Sequence, residues 1–408
     1  MKHGYLSEYF PKIATKKLTS VEINPNTSHQ HEFNGNKELK EIFGIESRTF
    51  EATFLYLNDF DEDGVTGTWS LTWYDARAKS ADRTWRSEYR LYFTDNEVLN
   101  CASENDLLII GLRPDWSLLV VIAESESSIS NQLKWLFWIS DKNELSFSVI
   151  SELETEQNRV WFASRIILET IGIEVETEDN TFLSDMLSKF WEKSFPDTKT
   201  FSSYARETLW EEIIGLDNDT LLMLCLDREE VLFRTFEKYF LADRLSQGFI
   251  SAGKPDVEGF ISFSLHIQNR RKSRAWAWFE NHLEYLFFKE NIKFDRTKVT
   301  ENKSKPDFLF PWISEYKDMT FPVDKLIVLW AKTSCKDRWR QILSEADRIP
   351  QKHLITLQTG ISIAQTNEMI EKNVQLILPK QLHQTYTIEQ QKILMDVSGF
   401  INLVKTKQ

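Results

Sequence analysis

The chain has 408 residues, 41% of them hydrophobic, with 28 Phe, 14 Trp and a formal net charge of −13. That exceeds one ordinary domain and excludes a disordered chain, so two or three cored domains are expected. The acidic total argues against a polyanion-binding surface over the whole molecule, but leaves room for a basic cleft in an acidic body.

The first ten residues, Met1 to Phe10, lack an apolar signal core. Cys101, Cys225 and Cys335 are scattered, with no CxxC pair or metal spacing. A reducing, cytoplasmic setting is the expectation. Residues 1–150 read mainly as β. The runs Phe54–Leu57, Trp69–Tyr74, Glu88–Phe93, Leu107–Ile110 and Leu118–Ile122 are short, aromatic and β-branched, and Asp/Gly/Asn-rich turns separate them. A helix is expected near Asn36–Phe43 and another after Ser130. The most apolar stretch, Leu107 to Ala123, is broken by Arg113, Pro114 and Asp115, so it predicts two strands and no membrane span.

Residues 151–204 read as a helical connector, with apolar residues at helical spacing from Arg159 to Glu169 and a linker near Lys193–Ser203. The helical pattern returns over Glu229–Leu245. From 205 the pattern is mixed α/β. Helices are expected at Ser273–Asn291 and Lys336–Ile349, and strands near Asp307–Phe310, Leu326–Ala331 and His353–Thr356.

Three blocks in this last region carry chemistry: Asn269–Ala275, Lys305–Pro311 and Ala331–Asp347. Phosphodiester hydrolysis needs carboxylates to hold a hard cation and a cation to act on the phosphate. Asp307 lies at the start of one expected strand and Lys332 at the end of the next, so the two can share one phosphate. The ordinary PD-(D/E)xK arrangement has an acid two residues before the Lys. Trp330 stands there instead. Glu345, thirteen positions after Lys332, can return a carboxylate, and Glu280 or Glu284 on the Ser273–Asn291 helix can add another. Residues 270–274 hold four cations and no anion, and residues 332–340 hold four against Asp337. Each feature alone also has a plain reading: a turn Asp, a solvated strand-end Lys, exposed helix acids, a capped and charged helix start.

As a set and in this order, the blocks resemble the catalytic domain of the EcoRII type II restriction endonucleases over about residues 225–402. The carrying segments are Asn269–Ala275, Lys305–Pro311, Phe321-Pro-Val, Lys332–Leu343, Glu345-Ala-Asp, His353–Gly360 and Leu378-Pro-Lys. The resemblance implies a PD-(D/E)xK α/β domain over 205–408 and a type II site-specific deoxyribonuclease acting on double-stranded DNA with Mg²⁺. It implies that Asp307, Lys332 and Glu345 form the metal site, with Tyr316 close by and Glu280 as a further carboxylate. The absent acid at Trp330 fits the family's permuted motif.

The resemblance also implies CC/GG reading by Lys336, Asp337 and Arg338, which suits guanine O6/N7 and cytosine N4. Arg270, Arg271, Lys272 and Arg274 would enter the DNA interface. A homodimer on a pseudo-palindromic, CCWGG-like site is expected, as is a cognate DNA methyltransferase in the same system. One departure is Trp276-Ala-Trp278, where the family pattern has small and basic residues.

The family's type member carries an N-terminal B3-like β-barrel that binds a second copy of the site. No motif in residues 1–150 matches that barrel, but the β-rich character agrees with an effector DNA-binding domain. Its candidate contacts are Arg77, Lys79, Arg83, Arg86, Glu88 and Arg90, in and around a polar loop between two strands. Ser28–Asn34, with His29 and His31, is a second polar cluster, read as a DNA-facing or capping segment rather than a metal site. A dimerisation scaffold is the competing role for this half. For the whole chain, a non-cleaving DNA-binding protein on a nuclease fold and a repair-type nuclease stay open.

Overall fold

The computed structural model describes every residue except 1–4, 24–30, 61–63, 79–86, 141–144, 155–161, 176–179, 191–194, 211 and 252. The chain divides into two compact units, residues 1–175 with 359–363, and residues 176–358 with 364–408.

In the first unit, eight strands form one sheet among the described residues. They are β1 (Lys12–Lys17), β2 (Glu32–Asn34), β3 (Arg48–Leu57), β4 (Val65–Asp75), β5 (Tyr89–Phe93), β6 (Leu107–Leu112), β7 (Leu118–Ala123) and β8 (Ser148–Ile150). Their order is β2-β5-β4-β3-β7-β6-β1-β8, antiparallel except for β3 with β7. The aromatic and β-branched runs of the sequence fall in β3 to β7. β6 and β7 are buried on both faces, so every residue serves a core. Leu108, Ile110, Val120 and Ile122 enter one cluster with Phe50, Phe54 and Trp73. Leu107, Ile109, Leu119 and Val121 enter another, with Leu133 of the helix Ser128–Leu136 and Ile167 of the helix Phe162–Thr170. Period-two alternation divides the two sets. β1, β2 and β8 escaped the sequence reading because they are short or lysine-rich. Lys16 in β1 is nonetheless buried, paired with Glu22 at 2.6 Å. The helix Lys37–Phe43 starts where expected, with the Asn36 side chain accepting from the Leu39 N–H.

The second unit opens with helices Leu183–Lys189, Thr198–Glu207, Asn218–Ser246 and Val257–Lys289. A two-stranded ribbon of β9 (Ile250–Ser251) and β10 (Lys254–Pro255) joins the two long helices. The last helix begins well before Ser273, because Asp256 caps it at the Gly259 N–H. The expected linker at Lys193–Ser203 is corrected as well. Phe195 packs its ring on Phe233, Phe236 and Phe240, and Asp197 caps the helix Thr198–Glu207.

A five-stranded sheet follows, in sequence order: β11 (Asp295–Arg296), β12 (Phe308–Phe310), β13 (Ile327–Lys332), β14 (Lys352–Thr356) and β15 (Val374–Ile377). β11, β12 and β13 pair antiparallel, and β13, β14 and β15 pair parallel. Phe287 from the long helix packs on Phe308 and Phe310, and Phe400 from the helix Val397–Lys407 packs on Phe310. This aromatic layer fixes the sheet that carries the site.

Between β13 and β14 the expected α-helix at Lys336–Ile349 is instead a 3-10 stretch, Lys336–Ser344. Trp339 and Ile342, three apart and both buried, share one face of such a helix. The stretch ends at Glu345, which is extended, and Ala346 follows with φ 48°.

Candidate active site

β12 and β13 pair with Phe308 opposite Leu329, so one step along the ladder sets Asp307 opposite Trp330. Residues opposite one another share a face, and so do residues two apart along a strand. Asp307, Trp330 and Lys332 therefore line one side of this strand pair. The Asp307 carboxylate accepts from the Ala331 N–H at 2.8 Å, and Lys332 Nζ lies 3.5 Å from Asp307 Oδ2. Lys332 also sits over the Trp276 ring, 4.6 Å from its centroid, while the Trp276 indole N–H donates to the Ala331 carbonyl at 3.0 Å. Trp276, flagged in the sequence only as a departure, thus braces the end of β13.

Asp307 is buried, and burial pushes its pKa up to about 6. The Lys332 ammonium pulls it down and the Glu280 charge adds to the rise. Glu280 is held by Arg296 at 2.7 Å, and the same guanidinium donates to Glu284 at 3.1 Å and to Asn281 at 3.0 Å. Both acids left open by the sequence are thus clamped by one arginine, and Glu280 is the one whose field reaches Asp307. Glu345 Oε2 accepts from the Trp330 indole N–H at 2.9 Å. Lys352 Nζ donates to the Glu345 and Ala346 carbonyls at 2.6 and 2.7 Å.

Among the described residues, no group of three or more His, Cys, Asp or Glu side chains is gathered as a metal cage. Asp307, Glu280 and Glu345 are hard oxygen donors of the kind Mg²⁺ takes, and that ion needs only one or two protein carboxylates. Asp307, buried with a second negative charge near it, is a group that a cation would relieve. The set fits Mg²⁺, with Glu280 and Glu345 each engaged elsewhere in this arrangement. Tyr316 stands apart from these contacts. Its hydroxyl donates to Glu301, its carbonyl accepts from Arg348, and burial raises its pKa.

The cationic candidates are placed unevenly. Arg274 is buried among the rings of Phe195, Phe201 and Phe233 and donates to the Pro196 carbonyl. Arg270 and Arg271 share the buried carboxylate of Glu237 at 3.1 and 2.6 Å. The side chains of Lys272, Lys336, Asp337 and Arg338 lie outside the described residues, as do His29, Lys79, Arg83 and Arg86. In the first unit, Arg90 pairs with Glu32 at 2.5 Å and Glu88 at 2.7 Å, and Arg77 pairs with Glu88 at 2.5 Å. His31 packs its ring on Phe93, 5.9 Å away.

A family model described as EcoRII C terminal matches residues 233–401. The type II restriction enzyme EcoRII of Escherichia coli is 41% identical over 220 residues, which are 53% of this chain and 52% of that protein. The chain thus spans about half the length of the curated relative it matches. Among solved structures, metal-depleted Ecl18kI in complex with uncleaved, modified DNA superposes with a TM-score of 0.45 at 18% identity, over 56% of this chain and 84% of that one. The restriction endonuclease PspGI–substrate DNA complex gives 0.41 at 14% identity, over 52% and 93%.

Proposed function

From the match of residues 233–401 to the EcoRII C-terminal family model, we propose that the chain is a type II restriction endonuclease of that family. It hydrolyses phosphodiester bonds of double-stranded DNA with Mg²⁺ at a CC/GG-containing, CCWGG-like site. The observation that carries this reading is the Asp307–Lys332 pair on adjacent strands, 3.5 Å apart.

Asp307, Glu345 and Glu280 would hold the cation. When bound, the cation supplies Lewis-acid charge to the phosphate. Lys332 binds a phosphate oxygen and orients the attacking water, and Trp276 restricts where its ammonium can go. Lys336, Asp337 and Arg338 read guanine and cytosine edges, with Arg270, Arg271, Lys272 and Arg274 lining or supporting the DNA interface. Tyr316 supports the site through its contacts with Glu301 and Arg348 rather than touching the phosphate. The chain works as a homodimer, each copy reading one half-site, alongside a cognate DNA methyltransferase in a bacterial cytoplasm. No helix among the described residues is long and apolar enough to cross a membrane. The first unit serves as an effector DNA-binding domain and the second as the nuclease. Arg77, Arg86, Glu88 and Arg90 are the effector's candidate contacts.

The test is incubation of the pure chain with plasmid DNA and Mg²⁺, followed by mapping of the ends. Discrete ends within one CC/GG sequence are expected. Intact plasmid at every metal concentration would leave a non-cleaving DNA-binding protein, and ends at mismatches alone would leave a repair nuclease.

A further inference from the structure

We propose that Trp330 and Lys352 are positioning residues that hold Glu345 beside the end of β13, Trp330 by its indole N–H and Lys352 by its ammonium. The inference rests on the reading above that Glu345 helps to hold the cation.

Strand parity puts the residue two before Lys332 on the same face as Lys332. Trp330 fills that position, and only 2% of it is exposed. Its single polar atom, the indole N–H, is a donor only. It ends on Glu345 Oε2 at 2.9 Å. The residue that displaces the strand acid is therefore the one that anchors its replacement.

Glu345 needs such an anchor. It leaves the 3-10 stretch in an extended conformation, and Ala346 after it has φ 48°, a left-handed backbone uncommon for a residue with a Cβ. A carboxylate on such a turn has no helix or strand to fix it. Lys352, at the start of the neighbouring β14, supplies the second point. Its buried ammonium donates to the carbonyls of Glu345 and Ala346, and it lies 5.9 Å from the Trp330 ring centroid. One clamp fixes the side chain and the other the backbone. Both come from adjacent strands of the sheet that carries Lys332.

The experiment is a titration of the full chain with Mn²⁺, with free Mn²⁺ followed by electron paramagnetic resonance and folding checked by thermal denaturation. Trp330→Phe keeps most of the ring and removes the N–H. We expect its Mn²⁺ affinity to fall about ten- to a hundredfold, as for other groups that orient a metal ligand. Lys352→Met should act in the same direction. Glu345→Gln should weaken uptake at least as much. The double variant Trp330→Phe/Glu345→Gln should be no weaker than Glu345→Gln alone, because Trp330 acts through Glu345. A general loss of structure would add instead. If Trp330→Phe fails to fold, Lys352→Met decides by the same criterion. Wild-type affinity in the folded positioning variants, with Glu345→Gln weakened, overturns the inference and leaves the role of Glu345 standing. Wild-type affinity in Glu345→Gln, or no saturable uptake by the unaltered chain, removes the reading of Glu345 itself.

Discussion

Lys332 Nζ lies 3.5 Å from Asp307 Oδ2 and 4.6 Å from the Trp276 ring centroid, so one ammonium joins the acid just before β12 to the aromatic brace of the long helix. Replacing Lys332 by Ala removes the only cation in that contact without touching the arginines elsewhere. Cleavage should fall by about 10²–10³. DNA binding, spread over many cations, should persist. Plasmid cleavage and gel shift on the same preparation test this. Undiminished cutting would end the assignment of Lys332.

Asp307 gives a pH signature that needs no DNA. Its pKa is raised to about 6 in the folded chain by burial, with Glu280 adding and Lys332 opposing. The folded chain thus holds this proton more tightly than the unfolded one. The resulting stabilisation is present below about pH 4 and is lost as pH rises through about 6. In chelator, Asp307→Asn should gain about 2–3 kcal/mol on the unaltered chain between pH 4 and pH 8. Urea unfolding across that range is the measurement. A difference that does not change with pH would show that Asp307 carries no strained charge.

Arg90 separates two roles for the first unit. Its guanidinium joins Glu32 and Glu88 and is mostly shielded. Arg90→Ala should therefore lower stability by about 1–3 kcal/mol, because Glu32 is left without its cation. Arg77, more exposed beside Glu88, should act mainly on DNA affinity and its salt dependence. An Arg90→Ala chain that unfolds like the original but loses DNA binding would make Arg90 a direct contact.

The dimer reading is checked by sedimentation in the presence of a duplex carrying one site. Two chains per duplex are expected, since one copy of the Lys336–Arg338 block reads one half of a symmetric target. Full cleavage by a species that stays monomeric throughout would count against it.

Much of this was legible because short-range chemistry decided it. The runs in β3 to β7 alternate or are wholly apolar, and Asp307 and Lys332 stand at strand ends, where a sheet presents polar groups. The tie of Glu345 to Trp330 was not legible, because nothing local tells a buried indole seeking an acceptor from one that merely fills a core. Nor was the clamp of Arg296 on Glu280, which spans sixteen residues and a helix-to-strand turn. The inward contacts of the cationic run 270–274 were hidden for a geometric reason. Successive helical residues turn by about 100°, so a continuous run must point some charges inward. Arg270 and Arg274, one turn apart, both stack on Phe195.

The place of β1 in its sheet has a consequence for biosynthesis. Lys12–Lys17 is made well before its partners, Leu107–Leu112 on one side and Ser148–Ile150 on the other. At about 5–20 residues per second on the ribosome, β1 waits on the order of ten seconds for its second neighbour. Through that interval Ile13, Ala14 and Thr15, all buried in the finished sheet, have an open edge. A chain stalled before Phe147 would keep that edge, and with it a tendency to stick to a holdase or to another copy of its own nascent sheet.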